Sequence, residues 1–452
     1  MKSATVNIKQ IPAMEFRFDP SLHLSEGVKV RETLAELPYE VKPLSSVTER
    51  IFLGNIFSRI WVKDKQHGVP YLAASDTVLA NLDTGQFLAK RQAVEMSYLV
   101  LEKGWILVTC SGTLGNTSYT NGNYAGRIAT HDLIRIVPNE DKLPGGYVYA
   151  FLSSKYGYYQ ITQSQFGGVV KHINAIQAGQ IQIPVLPKDA VSEIDKKIKE
   201  SAQLREEAAV NLNKAKDYFD SRYPIRRDTI KFFSKNIKDI RNNFAAYNNN
   251  TEVCEFVKSY STNSFSLGSI CDSIFAPPLF KHIYLSIDNG HPFITGGELT
   301  EQNQKFYRWL SPRGVRDISN YIVEEGTLVL YKSGSLNGMI GDVFMIDKHL
   351  NGCCLSDHVI RIKLSDKKLS FWIFAFLKSF GGVKLLKSLA TGTAIPFIMP
   401  DYLNRVLIPE PDDAYDTITD YISLYLEFIS KAKMLELDAI SLVEAEIEKW
   451  SK

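Results

Sequence analysis

Cysteine is scarce in this chain, and its five residues (Cys110, Cys254, Cys271, Cys353 and Cys354) form no CxxC pair. An odd, scattered set argues against a disulfide framework and predicts free thiols in a reducing cytoplasm. A charge excess of one sign is also missing. Lys and Arg total 52 against 50 Asp and Glu, a net charge of +2, so no global cationic field advertises a polyanion, although a local basic stripe fits inside a balanced total. No unbroken apolar run reaches membrane-spanning length, and residues 1–18 lack the apolar core of a signal peptide. With 45% hydrophobic and 23% charged residues the composition is that of a soluble globular chain, and 452 residues exceed one ordinary core.

Catalytic signatures are absent too. A phosphate-binding loop needs Gly-Lys-Ser/Thr after its glycines, and Lys332-Ser333-Gly334 has another order. Ala276-Pro277-Pro278-Leu279-Phe280 lacks the amide or carboxylate with which a methyltransferase motif holds a target amine. Pro400-Asp401 is not followed by the Glu-x-Lys of a metal-dependent nuclease, and Glu446-Ile447-Glu448-Lys449 reads as the solvated face of a helix. The eight histidines show no metal-ligand spacing. His131-Asp132 and Asp357-His358 stand just before strand-like runs and read as turns or caps. No catalytic and no metal-binding residue is therefore assigned.

What the chain does contain, it contains twice. Glu102-Lys103-Gly104-Trp105-Ile106-Leu107-Val108 followed by Ser111-Gly112 returns 222 residues later as Glu324-Glu325-Gly326-Thr327-Leu328-Val329-Leu330 followed by Ser333-Gly334. Leu133-Ile134-Arg135-Ile136 returns as Val359-Ile360-Arg361-Ile362, Phe151-Leu152 as Phe376-Leu377, and Ile183-Pro184 as Ile408-Pro409, at offsets of 225–226. So small a drift predicts one fold used twice. A fainter echo, Phe16-Arg17-Phe18-Asp19-Pro20 against Ile240-Arg241-Asn242-Asn243-Phe244, marks where each unit starts. Each copy reads as strand, glycine turn, strand, helix (147–161 and 370–389) and a short strand ended by proline.

Both copies then change character. Residues 188–219 hold no glycine or proline, and Ile194, Ile198, Ala202, Ala208, Leu212, Ala215 and Phe219 recur mostly at steps of three and four. These 32 residues predict an amphipathic helix of roughly 48 Å. After Pro411, the residues Ile422, Tyr425, Ile429, Ala432, Leu435, Ile440, Val443 and Ile447 form a second stripe. The stripes pack either on each other, as a coiled-coil-like pair, or each on its own module. The first arrangement is the more economical.

Recognition-type side chains remain. Lys63, Lys65 and His67, then Lys90, Arg91 and Gln92, then Lys171 and His172 fall in loops of the first copy. Arg308, Arg313, Arg316, Lys332 and Ser333 fall in loops of the second. Such residues pair with phosphates and base edges, while exposed loops carry Lys and Arg for solubility as well. Their appearance in both modules favours recognition.

In this order, duplicated and followed each time by a long helix, the strings resemble the DNA-specificity subunit of type I restriction-modification systems. They run from Glu102-Lys103-Gly104 and Ser111-Gly112 through Ala129-Thr130-His131-Asp132-Leu133-Ile134-Arg135-Ile136 and Tyr149-Ala150-Phe151-Leu152-Ser153-Ser154 to Ile181-Gln182-Ile183-Pro184-Val185-Leu186-Pro187. The second half answers with Glu325-Gly326, Ser333-Gly334, Ser356-Asp357-His358-Val359-Ile360-Arg361-Ile362, Thr391-Gly392-Thr393-Ala394-Ile395-Pro396 and Leu407-Ile408-Pro409. The resemblance implies an α+β chain with two tandem, similar α/β target-recognition domains, 1–187 (with an N-terminal arm) and 236–409. Two long helices, 188–235 with its linker and 410–452, would pack as an antiparallel coiled-coil-like pair. Each domain would read half of a bipartite, asymmetric site on double-stranded DNA. The helices would set the spacer and dock two methyltransferase subunits, with restriction (motor) subunits outside. No cofactor belongs to this chain in that reading; S-adenosylmethionine, ATP and Mg²⁺ belong to the partners, in the cytoplasm and away from membranes. The alternatives are a non-catalytic protein–protein scaffold and the specificity subunit of a related defence system.

Overall fold

The computed structural model describes residues 25–111, 114–163, 172–225, 233–240, 244–287, 289–336, 338–392 and 394–450. The echo at 16–20 and 241–243, the turn residues Gly112 and 166–168, and Lys171 and Thr393 lie outside them. The chain divides into two compact units, Met1–Glu206 with Lys431–Lys452, and Glu207–Ser430.

The first unit has strands β1 (Val41–Pro43), β2 (Thr48–Phe52), β3 (Trp61–Val62), β4 (Gly68–Leu72), β5 (Phe87–Ala89), β6 (Ile106–Thr109), β7 (Thr117–Tyr119), β8 (Ile128–Ala129), β9 (Leu133–Pro138) and β10 (Gln182–Pro184). They form a main sheet β2-β9-β6-β7, a small sheet β3-β5-β4-β8 and a ribbon β1-β10. The second unit has β11 (Ser264–Ser266), β12 (Ser273–Phe275), β13 (Tyr284–Leu285), β14 (His291–Ile294), β15 (Trp309–Leu310), β16 (Leu328–Tyr331), β17 (Val343–Met345), β18 (Cys354–Leu355), β19 (Val359–Lys363) and β20 (Leu407–Pro409). Its sheets are β12-β19-β16-β17, β13-β15-β14-β18 and β11-β20, so adding ten to every label of the first unit gives the second. Even the one parallel pairing of each small sheet matches, β4 with β8 and β14 with β18.

The repeated strings map onto the main sheets, where the physics is plain. Side chains alternate across a strand, so an unbroken apolar run needs burial on both faces. Ile106, Val108, Ile134 and Ile136 enter one core cluster, and Leu107 and Leu133 the opposite one. In the second unit Leu328, Leu330, Ile360 and Ile362 face one cluster, Val329, Tyr331 and Val359 the other. The Glu-x-Gly that precedes each run is a turn. Gly104 and Gly326 have φ of +88° and +86°, a conformation that side chains with a Cβ rarely adopt.

Between the isoleucines of β9 and β19 sits an arginine with no exposure, Arg135 or Arg361. Arg135 donates to the carbonyls of Ala129, Thr130 and Leu133. Arg361 donates to those of Leu355, Ser356 and Val359, the same three positions 226 residues on. Each guanidinium thus ties the chain leaving the small sheet to the strand that enters the main one. Burial pulls both down to about 10, which leaves them charged at neutral pH.

Two expectations need correction. The helices at 147–161 and 370–389 are each broken in two, into Gly145–Ser153 and Lys155–Gln163, and into Lys367–Lys378 and Phe380–Lys387. The breaks fall at Ser154 and Ser379, extended residues whose hydroxyls accept from the N–H of Gly157 and Gly382. A Cβ on Gly157 would stand 2.4 Å from the Phe151 carbonyl oxygen, and one on Gly382 2.2 Å from that of Phe376. The duplicated Ser-x-x-Gly is therefore a corner that only glycine fits.

The two stripes do form helices, Lys188–Arg222 and Tyr415–Glu448. In the first unit Ile194, Ile198, Ile440 and Val443 are buried in one cluster. Ser201 donates to the Ala432 carbonyl there, and Lys431 pairs with Glu200. In the second unit Phe219 and Ile422 are buried together, with Leu212 packed against them. Ile429 and Leu435, from the same stripe, are half-buried. Glu436 takes a buried place, because Arg205 Nη2 lies 3.1 Å from its Oε2 and the Tyr149 hydroxyl donates to its Oε1. No single helix among the described residues is long and apolar enough to cross a membrane.

Candidate nucleic-acid interface

The small sheets carry most of the recognition-type residues. In the first unit β5 is central, with Trp61 opposite Leu88 on one side and Gly68 opposite Ala89 on the other. The Ala89 N–H donates to the Ile60 carbonyl and the Lys90 N–H to that of His67. These bonds draw the 63–67 turn and the start of the Lys90–Glu95 helix together, so Lys63, Lys65, His67, Lys90 and Arg91 lie exposed around one end of the sheet. The Asp64 carboxylate folds that turn by accepting from the N–H groups of Gln66 and His67, with the His67 ring 2.9 Å away; these bonds to His67 hold it below the usual carboxylate range.

In the second unit Tyr284 stands opposite Leu310, and the Ser311 N–H donates to the Ile283 carbonyl. The matching registers make Tyr284 the counterpart of Trp61 and Arg313 that of Arg91. Arg313 and Arg316 are exposed. Arg308 is half-buried against both carboxylate oxygens of Glu298, its guanidinium 5.9 Å from the Tyr284 ring and 5.8 Å from Phe293. Nearby, burial and the Glu298 charge push the Glu301 carboxyl up to about 7. The folded chain then holds that proton in the window between about 4.5 and 7 where the unfolded chain has released it, so this group costs stability as pH rises through the window. Glu301→Gln is expected to raise the melting temperature of the second unit at pH 8 and leave it unchanged at pH 4, as followed by differential scanning calorimetry.

Not every expected residue joins these surfaces. Gln92 is buried, its Oε1 accepting from the Ile60 N–H and its Nε2 donating to the Ser58 carbonyl, so it braces the loop beneath the surface and its assignment as a DNA contact is corrected. His172 in the first unit, and Lys332 and Ser333 in the second, lie elsewhere, each at the end of its own unit's main sheet. There Ser111 bridges to His172 and Ser333 to Phe397, and the Lys332 N–H donates to the His358 carbonyl. Ser111 and Cys110 both donate to Asp132. At offset 226 His131 corresponds to Asp357 and Asp132 to His358, so histidine and aspartate exchange places between the copies. A shared catalytic pair does not survive that exchange.

The sequence reading missed an aromatic arrangement. Trp61 meets Tyr71 edge-on at 5.1 Å, and its counterpart Tyr284 lies 6.0 Å from Phe293, the counterpart of Tyr71. Arg59 donates from Nε to the Tyr71 hydroxyl at 2.6 Å and from Nη2 to Thr130 at 3.1 Å. Alignment of the copies would have paired these aromatics at offsets of 222–223.

Residues 261–416 match the family model of the type I restriction modification DNA specificity domain. No curated protein matches the sequence. Among solved structures, the S subunit of a type I restriction-modification system from M. genitalium is 11% identical, with 92% of this chain and 96% of that one covered and a TM-score of 0.37. The HsdS subunit from Thermoanaerobacter tengcongensis is 14% identical, with 92% and 97% covered and a TM-score of 0.28. Scores this low carry no weight beside the family match and the internal repeat. The matched residues 261–416 lie within the second unit, and the first unit repeats the second's strand order sheet for sheet.

Proposed function

We propose that the chain is the sequence-specific DNA-binding specificity subunit of a type I restriction-modification complex. Each unit reads one half of a bipartite site in double-stranded DNA, and the exposed small-sheet residues are the contacts: Lys63, Lys65, His67, Lys90 and Arg91 in the first, Arg313 and Arg316 in the second. His172, Lys332 and Ser333 flank these contacts in the same readers, and Lys171 is assigned to DNA contact from the sequence alone. The long helices pair antiparallel, set the unread spacer and dock two methyltransferase subunits, with restriction subunits outside them. S-adenosylmethionine is supplied with the methyltransferase, ATP and Mg²⁺ with the restriction subunits, and the assembly works in the cytoplasm without catalysis by this chain. One observation carries the reading: a single fold appears twice, with the specificity-domain match on one copy and an equivalent exposed position that holds Trp61 in one unit and Tyr284 in the other. Net charge near zero fits a subunit whose partners supply much of the phosphate neutralisation.

Sequencing of methylated genomic DNA tests this directly. Exchange of residues 40–187 for another member's module is expected to change one half-site only, and removal of about one helical turn from 193–219 to change the spacer while both half-sites persist. A methylation pattern untouched by both changes overturns the reading.

A further inference from the structure

We infer that Trp61 and Tyr284, on the outer strands of the two small sheets, are the apolar contacts through which each unit touches base edges of double-stranded DNA. This rests on the function proposed above and names the contact within it. Both side chains stand on two-residue strands that pair on one side only, and both stay exposed, at 49% and 42%. An edge strand that shows a large aromatic to water is a liability unless something covers it.

The surroundings select the partner. Around Trp61 the exposed charges include Lys63, Lys65, Lys90 and Arg91, and the carboxylate of Asp64 is taken up by its own turn. Around Tyr284 they include Lys281, Arg313 and Arg316, while Asp317 accepts from Ser319 in its own turn. A cationic rim about an aromatic suits a polyanion with an apolar interior. Phosphates meet the rim, and the ring meets groove-facing apolar atoms such as the thymine methyl. The duplication adds a second argument. A protein that bound both units alike would call for the same aromatic twice, whereas two unequal half-sites call for the same position with different residues, Trp in one and Tyr in the other.

The rings are also held ready. Tyr71 meets the Trp61 ring edge-on and is itself fixed by its bond from Arg59, while Tyr284 packs beside Phe293 with the ion-paired Arg308 guanidinium within 6 Å of both rings. A ring already fixed in the free protein loses little freedom on binding, so more of its contact appears as affinity.

The test uses the full chain assembled with its methyltransferase subunits, on a duplex that carries the site found by methylation sequencing. Trp61→Ala is expected to weaken binding roughly 10–100-fold, the range of one good base contact, and to relax preference within one half-site. The slope of log affinity against log salt should stay unchanged, since no phosphate contact is lost. Trp61→Tyr should recover most of the affinity, and Tyr284→Ala should act on the other half-site alone. Unaltered thermal unfolding of each variant excludes misfolding. The inference fails if affinity and half-sites are unchanged, if the salt slope falls by about one, or if the variants lose the methyltransferase subunits without DNA. That last outcome makes the surface a protein contact. If the module exchange also moves no half-site, it is the proposed function that fails.

Discussion

Glu436→Leu is expected to destabilise the first unit by about 3–5 kcal/mol, the usual cost of breaking a buried ion pair from one side. Both members of the Arg205–Glu436 pair are 7% exposed, so the change takes the carboxylate away from a guanidinium that is shut off from water. It also removes the acceptor of the Tyr149 hydroxyl, whose proton is held firmly because burial, and then the Glu436 charge, push that phenol far above its usual range. Arg205→Met combined with Glu436→Leu should regain most of the loss, since an apolar pair of similar volume is often as stable as the ionic one. Hydrogen exchange across 188–206 and 431–448 reads the effect in this unit, which a single global melt of a two-unit chain would blur. A double variant no better than the single one would show that the ionic pair itself carries the stability.

The second large effect is expected at the duplicated arginines. Arg135→Met leaves the carbonyls of Ala129, Thr130 and Leu133 without their donor in a site shut off from solvent. At about 1–3 kcal/mol for each orphaned group, with partial relaxation, a loss of about 3 kcal/mol or more follows. Arg135→Lys should not rescue it, because an ammonium lacks the planar fork that reaches three carbonyls at once. Arg361→Met should do the same in the second unit. Faster amide exchange at 128–136 in the first variant, with 354–362 still protected, would show that the two staples act separately. A loss of protection in both units together would contradict that.

The repeat was legible because its strings lie where both faces of a strand are buried, which demands unbroken apolar runs and a glycine turn at fixed offsets. The long helices were legible for a similar reason, their stripe being the period of the structure itself. Polar residues that work inside the fold were not. Arg135 and Arg361 look like surface residues in a strand, and Glu436 like a solvated one in a helix, until carbonyls and Arg205 are placed around them. Hydrophobicity places Leu435 in the stripe and says nothing of its neighbour Glu436, which is the more buried of the two. Gln92 resembled its exposed neighbours Lys90 and Arg91, and only the bend of the 58–60 loop turns it inward. The outer strands β3 and β13 are too short to show a period, so the aromatics they carry went unnoticed. The corners at Ser154 and Ser379 were hidden by apolar patterning that continues across them.

The composition of the first unit has a consequence for how the chain is made. Its core joins Ile194 and Ile198 to Ala439, Ile440, Val443 and Ile447, which follow Ile198 in the chain by 241 residues or more. At roughly 5–20 residues per second, the early half of the protein waits on the order of 10–45 s with the seat for those side chains open. Ribosome stalling or premature termination within the intervening stretch would therefore expose greasy surface from a region already translated, making this nascent chain a natural client for chaperones.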